Sequence, residues 1–336
     1  MGNNEIVIEK PGDFEQHWEN VLEIVTKTDP EIRIGKWELE DPNYESEFII
    51  DGTVTDGPMD QDGVNPFDFR WGRHTLLVGL DVKKVVFESY DGQEVGGLLQ
   101  LPRFSHKQAF PVIVHLTGYG GELMVDQDFV SSGYGVFNFS HRGMLLGSKD
   151  FDRYYPLPLL VRDIDDRNRY VYKSIVVDCL LAIKILKKLE EVDINRIGVM
   201  GTSQGGGLSI ITIALNPDIR VASADLPWLT DFAYQINNDV EGPYTEIKEY
   251  LTRFPQNRGR VLSTLGYYDT LFFADMVERP VLISLGLEDT TSPPESVRNL
   301  FNRLKSTKLL LEIPHMGHER GTLWRYLSQK WFDFYL

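Results

Sequence analysis

Ile194-Asn195-Arg196-Ile197-Gly198-Val199-Met200-Gly201-Thr202-Ser203-Gln204-Gly205-Gly206-Gly207-Leu208 is the stretch whose reading decides the fold. The apolar run Ile197 to Met200 reads as a buried strand, and Leu208 to Leu215 continues as a helical apolar pattern. Between them a serine stands two positions from glycine on either side, Gly201-Thr202-Ser203-Gln204-Gly205, which is the pattern of a nucleophile elbow. The glycines have a steric reason: a serine held in a strained strand-to-helix turn brings neighbouring backbone too close for side chains two positions away. Such a turn lifts the Ser203 hydroxyl clear of the sheet. It also aims the Gln204 N–H, at the start of the helix, where an oxyanion would develop, and the helix dipole favours negative charge there.

Short apolar runs ending in loop-forming residues recur on both sides of this stretch. Pro111 to Leu116 ends in Thr117-Gly118-Tyr119-Gly120-Gly121, and Tyr134 to Phe139 ends in Ser140-His141-Arg142-Gly143. Val221 to Asp225 leads to Leu226-Pro227-Trp228, Val281 to Gly286 to Leu287-Glu288-Asp289, and Leu309 to Ile313 to Pro314-His315-Met316-Gly317-His318-Glu319. Residues 169–190 place Val171, Ile175, Cys179, Ile183 and Leu186 on one broad face, predicting a long helix against the sheet, with Cys179 an inert core residue. Strands alternating with helices imply an α/β fold with a mostly parallel sheet whose site lies at the carboxyl ends of the strands. Leu76 to Tyr90 and Val95 to Leu101, joined through Asp91-Gly92, predict an antiparallel hairpin leading into it.

A serine hydroxyl is a poor nucleophile until a base takes its proton, and a histidine oriented by a carboxylate is the usual base. A carboxylate just past the end of a parallel strand reaches the face that carries Ser203, which points to Asp289, with Glu288 as its rival one residue away. Past the last strand, His318 completes the order Ser203, Asp289, His318 that this architecture uses, and His315 is its nearest competitor. The loop at 117–121 is where the second oxyanion donor belongs, assigned to the Tyr119 N–H beside that of Gln204. Tyr119 and Trp228, each just past a strand end, are expected to flank the space for a substrate's acyl group.

The chain has 336 residues, of which 42% are hydrophobic, enough for a large core. The organisation expected is one α/β domain over 76–336, with 231–278 an insertion covering the site, preceded by a helical and acidic extension over 1–75. In that extension Asp13 is a candidate cap for an amphipathic helix carrying Phe14, Trp18, Val21, Leu22 and Val25. Residues 37–63 carry nine acidic side chains and no basic one. Asp60-Gln61-Asp62-Gly63 faintly suggests a calcium loop but lacks the remaining ligand positions, so a solvated loop is the reading. A net charge of −16 argues against nucleic acid and anionic membranes as partners. With Cys179 the lone cysteine, no intrachain disulfide or cysteine zinc cluster can form. No targeting signal and no run of about 18 apolar residues is seen, so a cytoplasmic protein is expected.

Taken together these motifs resemble the acetyl xylan esterase and cephalosporin C deacetylase family, carbohydrate esterase family seven, of the α/β-hydrolase superfamily. That family's Arg-Gly-Gln motif corresponds to Arg142-Gly143-Met144, its elbow to Gly201-Thr202-Ser203-Gln204-Gly205-Gly206, and its late His-Glu pair to His318-Glu319. The similarity also takes in Asp13-Phe14 to Trp18, Gly118-Tyr119, the helix near Asp178, Asp225 to Phe232, and Gly286 to Pro294. Two departures stand out: Met144 replaces a glutamine, and Thr117 stands where a histidine usually precedes Gly-Tyr. The resemblance implies an α/β-hydrolase fold, removal of acetyl groups from small acetylated sugars, no metal or other cofactor, and a homohexamer. The leading reading is therefore a serine acetylesterase working through an acyl-enzyme. A broader carboxylester hydrolase or aminopeptidase-like enzyme on the same scaffold, and a non-catalytic binding protein that kept the fold, are the alternatives.

Overall fold

The computed structural model describes residues 5–36, 48–49, 79–120, 123–144, 158–238, 240–319 and 321–336. The strands are β1 (Ile32–Lys36), β2 (Phe48–Ile49), β3 (Leu80–Glu88), β4 (Glu94–Pro102), β5 (Phe110–Leu116), β6 (Leu123–Met124), β7 (Gly135–Ser140), β8 (Val192–Thr202), β9 (Ile219–Asp225), β10 (Val281–Gly286) and β11 (Lys308–Ile313). Nine of them form one sheet in the order β1-β3-β4-β7-β5-β8-β9-β10-β11, and β2 pairs with β6 apart from it. Pairing is antiparallel from β1 through β7 and parallel from β7 through β11. This is the α/β-hydrolase arrangement.

Both faces of the sheet's middle strands are buried, and the alternation of side chains divides their apolar residues between two cores. On β5, Val112, Val114 and Leu116 join the larger core with the helices Val171–Leu186 and Gln204–Leu215. Ile113, between them, joins the smaller core with Met200, Leu282, Trp324 and Phe332. Burial of the helix Val171–Leu186 goes well beyond the single face expected, reaching even Asp178, and Cys179 lies within it. One reason is the helix Phe14–Lys27, which packs on its outer side. Lys184 joins the two by donating to the carbonyls of Val25, Thr26 and Thr28 at 2.9, 3.0 and 2.6 Å, bringing charge and donors to a helix C-terminus.

One local expectation is corrected. Asp13 makes no side-chain cap to the helix it precedes. Its carboxylate accepts instead from Arg167 at 2.8 Å and from the Tyr267 hydroxyl, partners far away in the chain. In the helix Thr322–Tyr335, Trp324, Ser328 and Phe332 face inward, while Leu323 and Tyr326 are 48% and 59% exposed. The buried stripe has the helical spacing of four but runs through a serine, whose hydroxyl meets that of Ser223 on β9 at 2.7 Å. The acidic stretch 37–63, with Asp60 to Gly63, lies outside the described residues apart from the two of β2, as do Leu76 to Val78 of the expected hairpin. No helix among the described residues is long and apolar enough to cross a membrane.

Candidate active site

β8 ends at Thr202 and the following helix begins at Gln204, leaving Ser203 between them at φ 58° and ψ −119°, a conformation that side chains ordinarily avoid. Backbone hydrogen bonds hold it there: Ser203 N–H donates to the Asp225 carbonyl at 2.9 Å, and its own carbonyl accepts from Gly207 at 3.0 Å and Trp228 at 2.9 Å. The glycines permit this packing. A Cβ on Gly205 would sit 2.1 Å from the Leu116 carbonyl oxygen, and one on Gly207 would sit 1.9 Å from that of Trp228.

The three residues expected to act together are joined by hydrogen bonds. Ser203 Oγ lies 2.8 Å from His318 Nε2, and His318 Nδ1 lies 2.8 Å from Asp289 Oδ2. With its Nδ1–H given to the carboxylate, the ring presents an Nε2 lone pair to the serine hydroxyl. Asp289 is 3% exposed, and its other oxygen accepts from the Thr291 and Ser292 N–H groups, each at 2.8 Å. The loops after β10 and β11 are laced together by Leu287 N–H to the Ile313 carbonyl and Glu288 N–H to the Met316 carbonyl, both 3.0 Å. Gly286 lets them approach, since a Cβ there would lie 2.3 Å from the Met316 oxygen. The rivals pair with each other instead: Glu288 meets His315 Nδ1 at 2.9 Å, with the histidine side chain 90% exposed.

Tyr119 follows β5 beside the elbow, and among the described residues neither its N–H nor that of Gln204 donates to a backbone carbonyl in a turn or loop. The Tyr119 hydroxyl donates to Glu246 at 3.1 Å and accepts from the Leu160 N–H at 3.3 Å. Burial raises the pKa values of both Tyr119 and Glu246. Trp228 is 1% exposed, with its ring edge-to-face against Tyr119 at 5.4 Å and tilted against Tyr244 at 4.8 Å. Trp228 is the more deeply buried of the two residues, with its backbone bonded to the elbow, and Tyr119 is half-buried. Among the described residues no group of three or more His, Cys, Asp or Glu side chains is arranged to hold a metal.

Residues 73–335 match the family described as acetyl xylan esterase (AXE1). The chain belongs to the acetyl xylan esterase family. This is a family of carboxylic ester hydrolases. One curated relative, the acetyl esterase Axe7A of Xylanibacter ruminicola, is 31% identical over 172 residues, covering 51% of this chain and 38% of that protein; the match thus spans little more than a third of the relative's length. Among solved structures, the acetyl xylan esterase of Paenibacillus sp. R4 superposes with a TM-score of 0.80 at 24% identity, covering 99% of this chain and 97% of that one. Acetyl xylan esterase 1 of Thermoanaerobacterium sp. gives 0.77 at 23% identity, covering 98% and 95%. At these identities the likeness is one of fold.

Met144 and Thr117, the two departures from the family's motifs, lie in the neighbourhood of Arg142 and of the elbow. Arg142 is buried in a fork of carboxylates. It reaches Asp178 at 2.8 and 2.9 Å and Asp91 at 2.6 and 3.0 Å, ties that fasten the end of β7 to the helix Val171–Leu186 and to the turn between β3 and β4. Burial works against its charge, but Asp178 and Asp91 together hold the guanidinium protonated well above its ordinary range. Met144 and Thr117 are both buried, and the Thr117 hydroxyl has no hydrogen-bond partner among the described residues. The roles of Glu246 and of the Gln204 side chain's partners were not read from sequence. Glu246 lies 127 positions from Tyr119, and no local pattern marks the pairing.

Proposed function

We propose that this chain is a serine esterase that removes acetyl groups from small acetylated saccharides through an acyl-enzyme. The observation that carries the reading is the continuous hydrogen-bonded line Ser203 Oγ, His318, Asp289, ending on a carboxylate sheltered from water. Ser203 Oγ attacks the acetyl carbonyl while its proton passes to His318 Nε2, and Asp289 stabilises the imidazolium that forms. The carbonyl oxygen, now negative, receives the Gln204 and Tyr119 N–H groups. Collapse of this intermediate expels the sugar alkoxide, protonated by His318, and leaves acetyl on Ser203. Water, deprotonated by His318, then attacks the acyl carbon; the bond to Ser203 Oγ breaks, His318 returns the proton to that oxygen, and acetate departs. Residues 231–278, which bring Glu246 to Tyr119 and Tyr244 to Trp228, cover the acyl side of the site and favour short chains. A homohexamer, as the resemblance implies, belongs to the same proposal and is read by sedimentation.

A panel of acetylated xylose, nitrophenyl esters of rising chain length and an aminoacyl nitroanilide tests the reading. Acetate release from the sugar, lost in Ser203→Ala, is the expected result. Cleavage of the anilide with no acetate release would replace the esterase reading with a peptidase one.

A further inference from the structure

Gln204 supplies its backbone N–H to the site, yet its side chain points away into the protein and is fully buried. Both polar ends of that side chain are satisfied. Its Oε1 accepts from the Tyr172 hydroxyl at 2.6 Å, and its Nε2 donates to His141 Nε2 at 2.8 Å. For the second bond His141 Nε2 must be bare, and it is, because the ring's one proton sits on Nδ1 and goes to the Arg142 carbonyl at 2.9 Å. Burial pushes His141 down to about 4, so the ring stays neutral at ordinary pH and the acceptor persists. Beyond His141, the Arg142 N–H and guanidinium are fixed on Asp178. Tyr172 and Asp178 lie on the same helix, Val171–Leu186, so one rigid element grips Gln204 from both sides.

We propose that His141 and Tyr172 are positioning residues for the oxyanion hole, acting through the Gln204 side chain to fix the direction of the Gln204 N–H. The proposal rests on the esterase reading above. A first-turn N–H has no partner within its helix, so nothing in the helix itself sets its aim. Here the peptide joining Ser203 to Gln204 follows a serine at positive φ, and a strained residue persists only where its surroundings over-determine it. A glutamine anchored at its far end by two bonds of defined polarity fixes its Cα, and with it the peptide plane. An apolar side chain of similar size would fill the same volume without that constraint. The oxyanion donor is thereby oriented before substrate arrives, which is the condition for electrostatic stabilisation without reorganisation.

The test is a double-mutant cycle on the full chain with nitrophenyl acetate, alongside affinity for phenylboronic acid, which forms a tetrahedral adduct on Ser203. His141→Leu and Tyr172→Phe should each lower kcat by about tenfold or more with KM held within about twofold, and boronate affinity should fall in parallel. His141→Gln, whose amide oxygen can replace Nε2 as acceptor, should restore most of the loss. In a Gln204→Leu background, adding His141→Leu or Tyr172→Phe should cost nothing further, because the route of their action is already gone. Equal losses in both backgrounds would overturn the proposal, as would kcat unchanged in both single variants. Should His141→Leu fail to fold, Tyr172→Phe, which removes one oxygen, completes the cycle with Gln204→Leu. A native chain inert to every ester would overturn the esterase reading instead, and the cycle would then be read on the rate of Ser203 phosphonylation.

Discussion

Replacing Gly205 by alanine should disable the site without touching any residue that carries charge or a proton. The new Cβ would lie 2.1 Å from the Leu116 carbonyl oxygen, 2.9 Å from its carbonyl carbon and 3.2 Å from the Thr117 oxygen. An ordinary carbon–oxygen contact is about 3.3 Å, so the start of the helix and the end of β5 must separate by roughly 1 Å. Side-chain rotation cannot relieve this, because the atoms in the way are backbone. The helix start carries the Gln204 N–H and β5 leads into Tyr119, so the gap opens between the two donors proposed for the oxyanion. A misplacement of this size costs about a hundredfold in kcat, and the strain costs about 1–3 kcal/mol of stability. Steady-state kinetics on nitrophenyl acetate would read the first and urea denaturation the second, with KM little changed. An alanine variant with native kcat would refute the reasoning that backbone approach at this point sets the donors' geometry.

The base can be identified by substitution: His318→Ala should remove activity and His315→Ala should spare it, and the reverse pattern would mean that the exposed His315–Glu288 pair holds the chemistry. Acyl length should matter, with nitrophenyl acetate preferred over octanoate by about ten- to a hundredfold, a preference that Trp228→Ala relaxes by letting Tyr119 fall back; a native chain preferring octanoate would sink the acetylesterase reading. Stability should fall as pH drops from about 6.5 to 4, because burial holds His17 and His141 at about 4 while the unfolded chain protonates each near its ordinary value, so the unfolded state binds more protons across that window. Urea midpoints across the range should show a shallower slope in His141→Gln, and an unchanged slope would clear His141 of the effect.

The elbow is legible in sequence because its geometry demands residues at fixed spacing. Gly201 and Gly205 are there because backbone occupies the space of a Cβ, that of Gly205 and Leu116 at the first and that of Leu116 at the second, and the demand is written into positions close together in the chain. Asp289 and His318 are legible for a related reason, since each follows an apolar run whose strand end determines where it emerges. What could not be read depends on partners far apart. Asp13 looks like a helix cap until Arg167 and Tyr267 are brought to it. His141 and Tyr172 stand 63 and 32 positions from Gln204, and neither carries a local signature of that contact. Trp228 is correctly placed just past β9, but its depth behind Tyr119 depends on Tyr244 in a later helix. The short β1 leaves little trace in sequence, because two isoleucines alternating with an arginine and a glycine are too brief a pattern to stand out.

The helix Phe14–Lys27 has a consequence for how the molecule comes apart. Trp18 donates from its indole to the Tyr267 carbonyl at 3.1 Å across 249 positions of chain, and Phe14 and Trp18 pack edge-on against Phe273 at 5.0 and 5.1 Å. These contacts close a very long loop, whose entropy must be met before they reward it, so they belong to a late stage of folding. The same logic in reverse makes the helix and the segment around 267–273 a cooperative unit that opens together, below the free energy of global unfolding. Amide exchange in the two stretches should then share one opening free energy. The helix Gln204–Leu215 packs against Thr270–Phe273, so the support behind Ser203 would loosen on the timescale at which this distant helix lets go.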